Sequence, residues 1–345
     1  MPNRMNKNRP RIRDLAEELN LSQATISRAL ANDKRIRQSV RDEVAALAKR
    51  WGYTRNPIAF NLRHSRSNNI GLILPEFTHN YFSQALKGID QLVNERGYHL
   101  IVNTHNNNHE KEVKATQALN NLLVEGILVS YAGNNEGFEH YRDVIRSGVP
   151  VVFFDRLCED IDASYVITDD FNGAITAIDH LARTGCKKIA YFSGPEDLST
   201  NFNREMGYQE GLKRNGLLVA QALMLPWQAS PEKWKDSMVS FLSRQNVDGI
   251  FCFSDYIAYD TLQALETMNF KVPDAVSVIG FAGEPISLFS RPKISTVSQP
   301  AELVGRRAAE ILLWHLENPD SPCVITEHLP TSLILRETTK VFPGQ

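Results

Sequence analysis

Residues 12–32 read IRDLAEELNLSQATISRALAN, and this stretch decides what the front of the chain is. Ile12, Leu15, Ala16 and Leu19 fall at i, i+3, i+4 and i+7, one apolar helical face. Asn20 suits a turn. Ser22 suits the N-cap of a following helix, because its hydroxyl accepts an orphan amide of the first turn. Ile26, Ala29 and Leu30 form the buried face of that second helix. Ser22, Gln23, Ala24, Thr25, Ser27 and Arg28 are left on or near its outer, N-terminal part. Gln and Arg pair bidentately with adenine and guanine edges in the major groove, and a helix-turn-helix places the start of its second helix there. A helical hairpin with a merely solvated polar face has the same short pattern, so the motif alone does not decide between them.

Charge distribution separates the two. Residues 1–66 hold 15 Lys and Arg against 6 Asp and Glu, a net of +9, whereas the whole chain has 38 against 40. The remaining residues therefore carry a net of −11. A basic block of this kind is the electrostatic footprint of phosphate binding. Its charges are interleaved with apolar residues at helical spacing, which a disordered tail lacks.

The basic head continues past the hairpin. Ser39 followed by Asp42 reads as a capping box ahead of Val40, Val44, Leu47 and Ala48. Trp51-Gly52 ends this third helix, since Gly adopts the left-handed conformation that stops one. Tyr53-Thr54-Arg55-Asn56-Pro57 is then an extended exit. Pro57 opens a short segment, IAFNLRHS, that is too short to stay helical in water unless something holds it.

From about residue 70 the chain is long enough for two compact lobes. Short apolar runs at 70–74, 100–103, 127–130 and 150–154 alternate with amphipathic stretches near 82–96, 110–124 and 137–147. The rhythm resumes with 188–193, 204–215, 232–244, 249–254, 256–268 and 276–280. Strands alternating with helices predict doubly wound parallel sheets, with ligands outside the carboxyl ends of the strands. At those ends stand His79, Tyr81 and Phe82, then Asp155-Arg156, then Arg204, then Ser254-Asp255. Tyr81 and Phe82 offer flat faces for stacking. Asp155 and Arg156 together can grip vicinal hydroxyls, and Arg204 presents a planar fork of donors. A structural reading stands beside each: Asp155 and Asp255 as helix caps, Arg156 in a surface pair.

The chain resembles the lactose-repressor/galactose-repressor (LacI/GalR) family of bacterial transcription factors over essentially its whole length. The family's opening pattern appears as Arg13-Asp14-Leu15-Ala16, Leu21-Ser22 and Thr25-Ile26-Ser27-Arg28-Ala29-Leu30-Ala31-Asn32, and its hinge as Gly52-Tyr53-Thr54-Arg55-Asn56-Pro57-Ile58-Ala59-Phe60-Asn61-Leu62. The resemblance implies DNA contacts from Asn32, Tyr53, Asn56 and Ala59 as well, and a minor-groove wedge at Leu62. Phe60-Asn61 replaces the usual Arg-Ser. It implies an α/β fold: an N-terminal all-α helix-turn-helix head plus a two-lobed, periplasmic-binding-protein-like doubly wound core. The domains expected are a head at 1–54, a hinge helix and linker at 55–69, and an effector-binding and dimerisation domain at 70–340. Its first lobe takes 70–168 and 298–327, its second 169–297 and 328–340. In the core, Phe77-Thr78-His79-Asn80-Tyr81-Phe82, Asp155-Arg156, Gly194-Pro195 with Arg204-Glu205-Met206-Gly207-Tyr208, Ser254-Asp255 and the crossover Gln299 match family motifs that hold an effector. One departure stands out. The family commonly has Asp after the strand Val278-Ile279-Gly280-Phe281; here it is Ala282, with Glu284 two residues on as a candidate substitute.

Other classes fit less well. No G-x-G-x-x-G after a strand, no G-x-x-x-x-G-K-[ST] and no G-x-S-x-G points to an enzyme, and the nine His show no metal-ligand spacing. A periplasmic binding protein or an enzyme on the same core are the alternatives. Residues 1–20 carry no apolar signal-peptide core. Cys158, Cys186, Cys252 and Cys323 are widely spaced with no CxxC pair, and no apolar run approaches a membrane span. The expectation is a cytoplasmic, sequence-specific regulator, not an enzyme, with no cofactor and no metal. It acts as a repressor on double-stranded DNA at a palindromic operator, and answers to a small polar effector of the carbohydrate class. The chain ends nine residues after Arg336, without a tetramerising heptad, which favours a homodimer.

Overall fold

The structure, a computed structural model, describes residues 10–53, 67–133, 137–156, 160–321 and 323–341. The hinge positions Asn56, Ala59 and Leu62, and Cys158, lie outside the described residues. The chain divides into two compact units, Met1–Ser67 and Asn68–Gln345.

The first unit contains helices α1 (Ile12–Glu18), α2 (Gln23–Leu30) and α3 (Gln38–Trp51). Leu15, Ile26, Val44 and Leu47 fill its core, with Ile12, Leu19, Leu30 and Tyr53 packed at the edges. Asn20 turns the chain at φ 50°. The Ser22 hydroxyl accepts the Thr25 amide at 3.1 Å, the expected N-cap of α2. Asp14 accepts the Arg11 amide at 2.7 Å at the start of α1. The capping box expected at Ser39 and Asp42 is not formed. Helix α3 begins two residues earlier, behind Arg37, with no side-chain cap. Ser39 is thus already inside the first turn, and Asp42 accepts from Gln38 Nε2 at 2.7 Å instead. Gly52, at φ 65°, ends α3 as expected.

The second unit holds two six-stranded sheets. The first has the order β11-β5-β4-β3-β1-β2, built from β1 (Asn69–Leu74), β2 (His99–Thr104), β3 (Gly126–Val129), β4 (Val151–Phe154), β5 (Ser164–Thr168) and β11 (Thr326–Leu329), all parallel. The second has the order β12-β10-β9-β8-β6-β7, built from β6 (Ile189–Phe192), β7 (Met224–Leu225), β8 (Gly249–Cys252), β9 (Ser277–Ala282), β10 (Ser295–Ser298) and β12 (Ser332–Ile334). Only the β10–β12 pair is antiparallel.

Both faces of each sheet are covered, which is why the strands read as continuous apolar runs. In the first lobe Ile70, Leu72 and Leu74 face α4 (Asn80–Glu95) and α12 (Ala301–Glu317). Ile73 and Phe153 face α5 (His109–Asn121) and α6 (Glu139–Arg146). In the second lobe Phe192, Ile250 and Val278 pack on α9 (Pro231–Arg244) and α10 (Asp255–Thr267). Tyr191, Phe251 and Phe281 pack on α7 (Asp170–Arg183) and α8 (Ser199–Arg214). The short α11 (Ile286–Phe289) follows β9. The chain crosses between lobes after β5, after β10 and after β11. The last crossing falls between Leu329 and Ser332, not at the expected 327/328 boundary, because β11 pairs with β5 as far as Leu329.

Helices α4 and α12 touch backbone to backbone. A Cβ added at Gly305 would lie 2.0 Å from the Ala85 carbonyl oxygen, and one at Gly88 2.1 Å from that of Glu302. Neither obstacle is a flexible side chain, so the helices themselves must separate. Gly305→Ala should therefore cost about 3 kcal/mol or more, the upper end of ordinary overpacking. A urea unfolding midpoint near that of the wild type would show that the crossing yields more easily than this packing implies.

Candidate functional site

The outer face of α2 presents Ser22, Gln23, Ala24 and Arg28 near its start. Gln23, Ala24 and Arg28 are exposed, and Thr25 and Ser27 flank them. The Ser22 and Thr25 hydroxyls are 2.9 Å apart, so they brace each other while one caps the helix. Asn32 sits at φ 54° and its carbonyl accepts from Arg41 Nη1, so it shapes the turn after α2. Tyr53 is half-buried, with its amide closing the end of α3 on the Ala48 carbonyl.

In the second unit the strand carboxyl ends of both sheets converge. Tyr81, in the first turn of α4, is 6% exposed and edge-on to Phe82 at 5.3 Å. Its hydroxyl is fully buried and lies beside the Asp155 carboxyl. Burial, then the neighbouring Asp155 and Asp170 charges, hold its pKa well above the ordinary value. Phe82 belongs to the first-lobe core. Asp155, at φ 68°, accepts from the Ser130 hydroxyl at 3.1 Å and lies 3.6 Å from Arg156 Nε. Burial pushes its carboxyl up and pulls the Arg156 guanidinium down. Arg156 is no surface pair: Nη1 donates to the Tyr131 carbonyl at 2.6 Å and to Asn107 Oδ1 at 2.9 Å.

Arg204 is 4% exposed, with three of its five N–H donors engaged. Nε and Nη2 each lie 2.8 Å from Asp170 Oδ2, and Nη1 donates to the Phe253 carbonyl at 2.7 Å. Its guanidinium lies 3.9 Å over the Phe281 ring and 4.5 Å over Phe253. The other Asp170 oxygen accepts from Thr168 Oγ1 and Gln299 Nε2 at 2.6 and 3.0 Å. Gln299 Nε2 also donates to Thr168 Oγ1 at 2.6 Å. Gln299 thus ties two interlobe crossings together. A cleft of about 400 Å³ opens beside them, lined by Asn80, Tyr81, Ala282, Gly283, Gln299 and Leu303 among others, a size ordinary for ligand sites.

Three expected ligands have structural work in the second lobe. The Ser254 hydroxyl caps α10 by accepting the Ile257 amide at 3.3 Å. Asp255 is fully buried against Gly280, where a Cβ would meet its Oδ1 at 2.2 Å. Its Oδ2 accepts the Glu284 amide at 2.6 Å. Glu284, 3% exposed, accepts the amides of Asn80 and Tyr81 in the first lobe. His79 is paired with Glu76 at 2.8 Å and lies edge-on to Tyr256 at 4.9 Å. Ala282 sits at φ 97° and brings only a methyl group. Sequence reasoning missed Asp170, Asn107, Phe253, Phe281 and the exposed Trp227. The adjacent carboxylates Asp169-Asp170 are the one signal that the sequence offers for them. Trp227 stands at the end of the second sheet, its amide on Ser193 Oγ at 3.1 Å.

A three-helix head with an exposed reading face, in one chain with a two-sheet core closing on a polar cleft, defines a ligand-responsive DNA-binding regulator. Residues 11–56 match the family described as bacterial regulatory proteins, lacI family, and residues 178–339 match the periplasmic binding protein-like domain. The ribose operon repressor of Halalkalibacterium halodurans is 27% identical over 329 residues, 95% of this chain and 97% of the relative. A LacI-type regulator from Alkaliphilus metalliredigens, solved with D-xylulofuranose, is 27% identical with a TM-score of 0.70, covering 80% of this chain and all of that one. The lac repressor dimer bound to operator and the anti-inducer ONPF shares the fold with a TM-score of 0.83 at 20% identity, over 97% of this chain and all of that one. The chain thus joins a lacI-family head to a periplasmic binding protein-like domain, the two parts of a LacI-type regulator. Among the described residues no helix is long and apolar enough to cross a membrane.

Burial raises the Asp255 carboxyl from its ordinary 3.8 to about 7, with the nearby Glu284 charge adding to it against bonds from Thr296 and the Glu284 amide. The folded protein therefore holds a proton that the unfolded chain releases near pH 4. Stability contributed by this group is complete below pH 4 and is lost as pH rises towards 7. Asp255→Asn should flatten that slope and gain up to about 4 kcal/mol at pH 8 relative to wild type. Urea unfolding between pH 5 and pH 8 measures both curves, and parallel curves would place the titration elsewhere.

Proposed function

We propose that the protein is a cytoplasmic transcriptional repressor that binds a palindromic operator as a homodimer and answers to a small carbohydrate in the interlobe cleft. The observation that carries the DNA half is the exposed face of Gln23, Ala24 and Arg28 at the start of α2, within a basic block, residues 1–66, of net charge +9. Ser22, Thr25, Ser27, Asn32 and Tyr53 flank that face, and Asn56, Ala59 and Leu62 extend the proposed interface through the hinge. The effector class is taken from the named sugar operon and bound sugar of the relatives. It agrees with a cleft lined by Tyr81, next to which the Asp155 carboxyl and the Arg156 guanidinium are suited to hydroxyl partners.

Arg204 gives three of its five N–H donors to Asp170 and Phe253, so its fork is held in place beside the site. The effector contacts proposed are Tyr81, Asp155 and Arg156, with Phe82, His79, Arg204, Ser254, Asp255, Glu284 and Gln299 supporting them. A ligand touching both lobes binds the closed form better, and only that difference can shift the conformation felt by the hinge.

Arg28→Ala should cost about 1–3 kcal/mol at the operator and relax discrimination at one base pair in each half-site. Fluorescence anisotropy on matched and base-substituted duplexes is the measurement. Equal losses on every duplex would assign Arg28 to phosphate alone.

A further inference from the structure

At the mouth of the cleft a carboxylate of the second lobe binds the first. Glu284 follows β9 in the second lobe, yet its Oε2 accepts the Asn80 amide at 3.0 Å and its Oε1 the Tyr81 amide at 3.1 Å, both in the first lobe. The opening amides of a helix have no partner within it. His79, at the N-cap of α4, supplies no side-chain bond to them. A first lobe standing apart would leave this helix start uncapped, with its positive dipole end facing the cleft.

The carboxylate is held in place from behind. The chain after β9 turns left-handed twice, at Ala282 (φ 97°) and Gly283 (φ 75°), which swings Glu284 back towards the first lobe. Its own amide is fixed on Asp255 Oδ2 at 2.6 Å, and its carbonyl accepts the Ser287 amide at 2.9 Å. Further contacts cross nearby. The His79 ring meets Tyr256, and Gly133 lies so close to Leu198 that a Cβ would come within 2.7 Å of that side chain.

We propose that Glu284 is a closure latch: a tethered anion that caps α4 only when the lobes are together, so that the cleft rests closed with no ligand in it. The interlobe charge contact is supplied by the protein itself, at the edge of the cleft lined by Asn80, Tyr81, Ala282 and Gly283. An effector then works against or alongside a latch already set. This takes the cleft of the proposed function as its setting, but its test uses no effector and no DNA, so either can fail without the other.

The test is hydrogen–deuterium exchange on the full-length chain without added ligand, comparing wild type with Glu284→Ala and Asn80→Pro. The second variant removes one donor from the opposite lobe and leaves Glu284 intact. Proline is well accommodated at the first position of a helix, and His79 before it is already extended at φ −79°, ψ 128°. Both variants should exchange about tenfold faster in the first turn of α4, a shift of about 1.4 kcal/mol in local opening. They should show the same acceleration in the facing loops around Ala132 and Leu198. Glu284→Gln, keeping an uncharged acceptor, should fall between. Acceleration confined to the first turn of α4 would make Glu284 a local cap and overturn the latch, as would no acceleration at all. Should Glu284→Ala fail to fold, Asn80→Pro still separates these outcomes.

Discussion

The arrangement of the core turns on the buried pair of Arg204 and Asp170. Both side chains are almost wholly removed from water. Breaking such a pair by removing one partner leaves a stranded charge, at about 3–5 kcal/mol. Here the compensation is unusually full. The guanidinium has a carboxylate, a carbonyl and two aromatic faces, and the carboxylate has Arg204, Thr168 and Gln299. Thr168 ends the last strand before the first crossing, Asp170 begins the helix after it, and Gln299 stands at the second crossing. A single polar network therefore holds two chain crossings in register. The lobes are pinned where the chain passes between them.

Pinning at the crossings decides where motion is possible. Away from them the lobes meet through Glu284 on α4, the His79–Tyr256 ring contact and the approach of Gly133 to Leu198. The Glu284 contact combines two amides with a charge, the stronger kind of hydrogen bond. The cleft lies between the rigid network and this contact. Its floor is committed to structure, and Tyr81 lines its first-lobe side with Asp155 beside it.

Much of this is legible in the sequence, and what is not has a common cause. The Ser22 cap, the Asn20 turn and the Gly52 stop are local events, decided within three or four residues. The strand ends that carry Tyr81, Asp155, Arg204 and Asp255 follow from alternation of strand and helix. Helix α12 lies beyond the amphipathic stretches named from the sequence, yet it obeys the same rule: Ala301, Val304, Gly305, Ala308, Ile311 and Leu312 recur on one buried face, and Glu302, Arg306 and Glu310 line the other. Ser39 misleads because the cap position is fixed by where the helix begins, and that start is shifted by two residues. Arg204 looks like a free fork because Asp170, its partner, is 34 residues away. Glu284 finds its amides 204 and 203 positions earlier. No local pattern carries such distances.

The turn after β9 shows how a changed side chain can keep its backbone and move its chemistry. Where the family commonly places Asp, Ala282 still adopts φ 97°. That conformation costs an L-residue energy and suits Asn or Asp better than Ala. It survives because the surrounding structure fixes it. β9 pairs with β10 up to Ala282 itself, and the Gly283 amide donates to Thr296 Oγ1 at 3.3 Å. A Cβ at Gly283 would strike Ser298 Oγ at 2.7 Å, so only glycine lets the turn lie this close to β10. The strained turn no longer presents a carboxylate at its apex. It delivers one two residues later, bound to the opposite lobe. Negative charge at this rim of the cleft is therefore retained, but it is engaged by the protein's own amides.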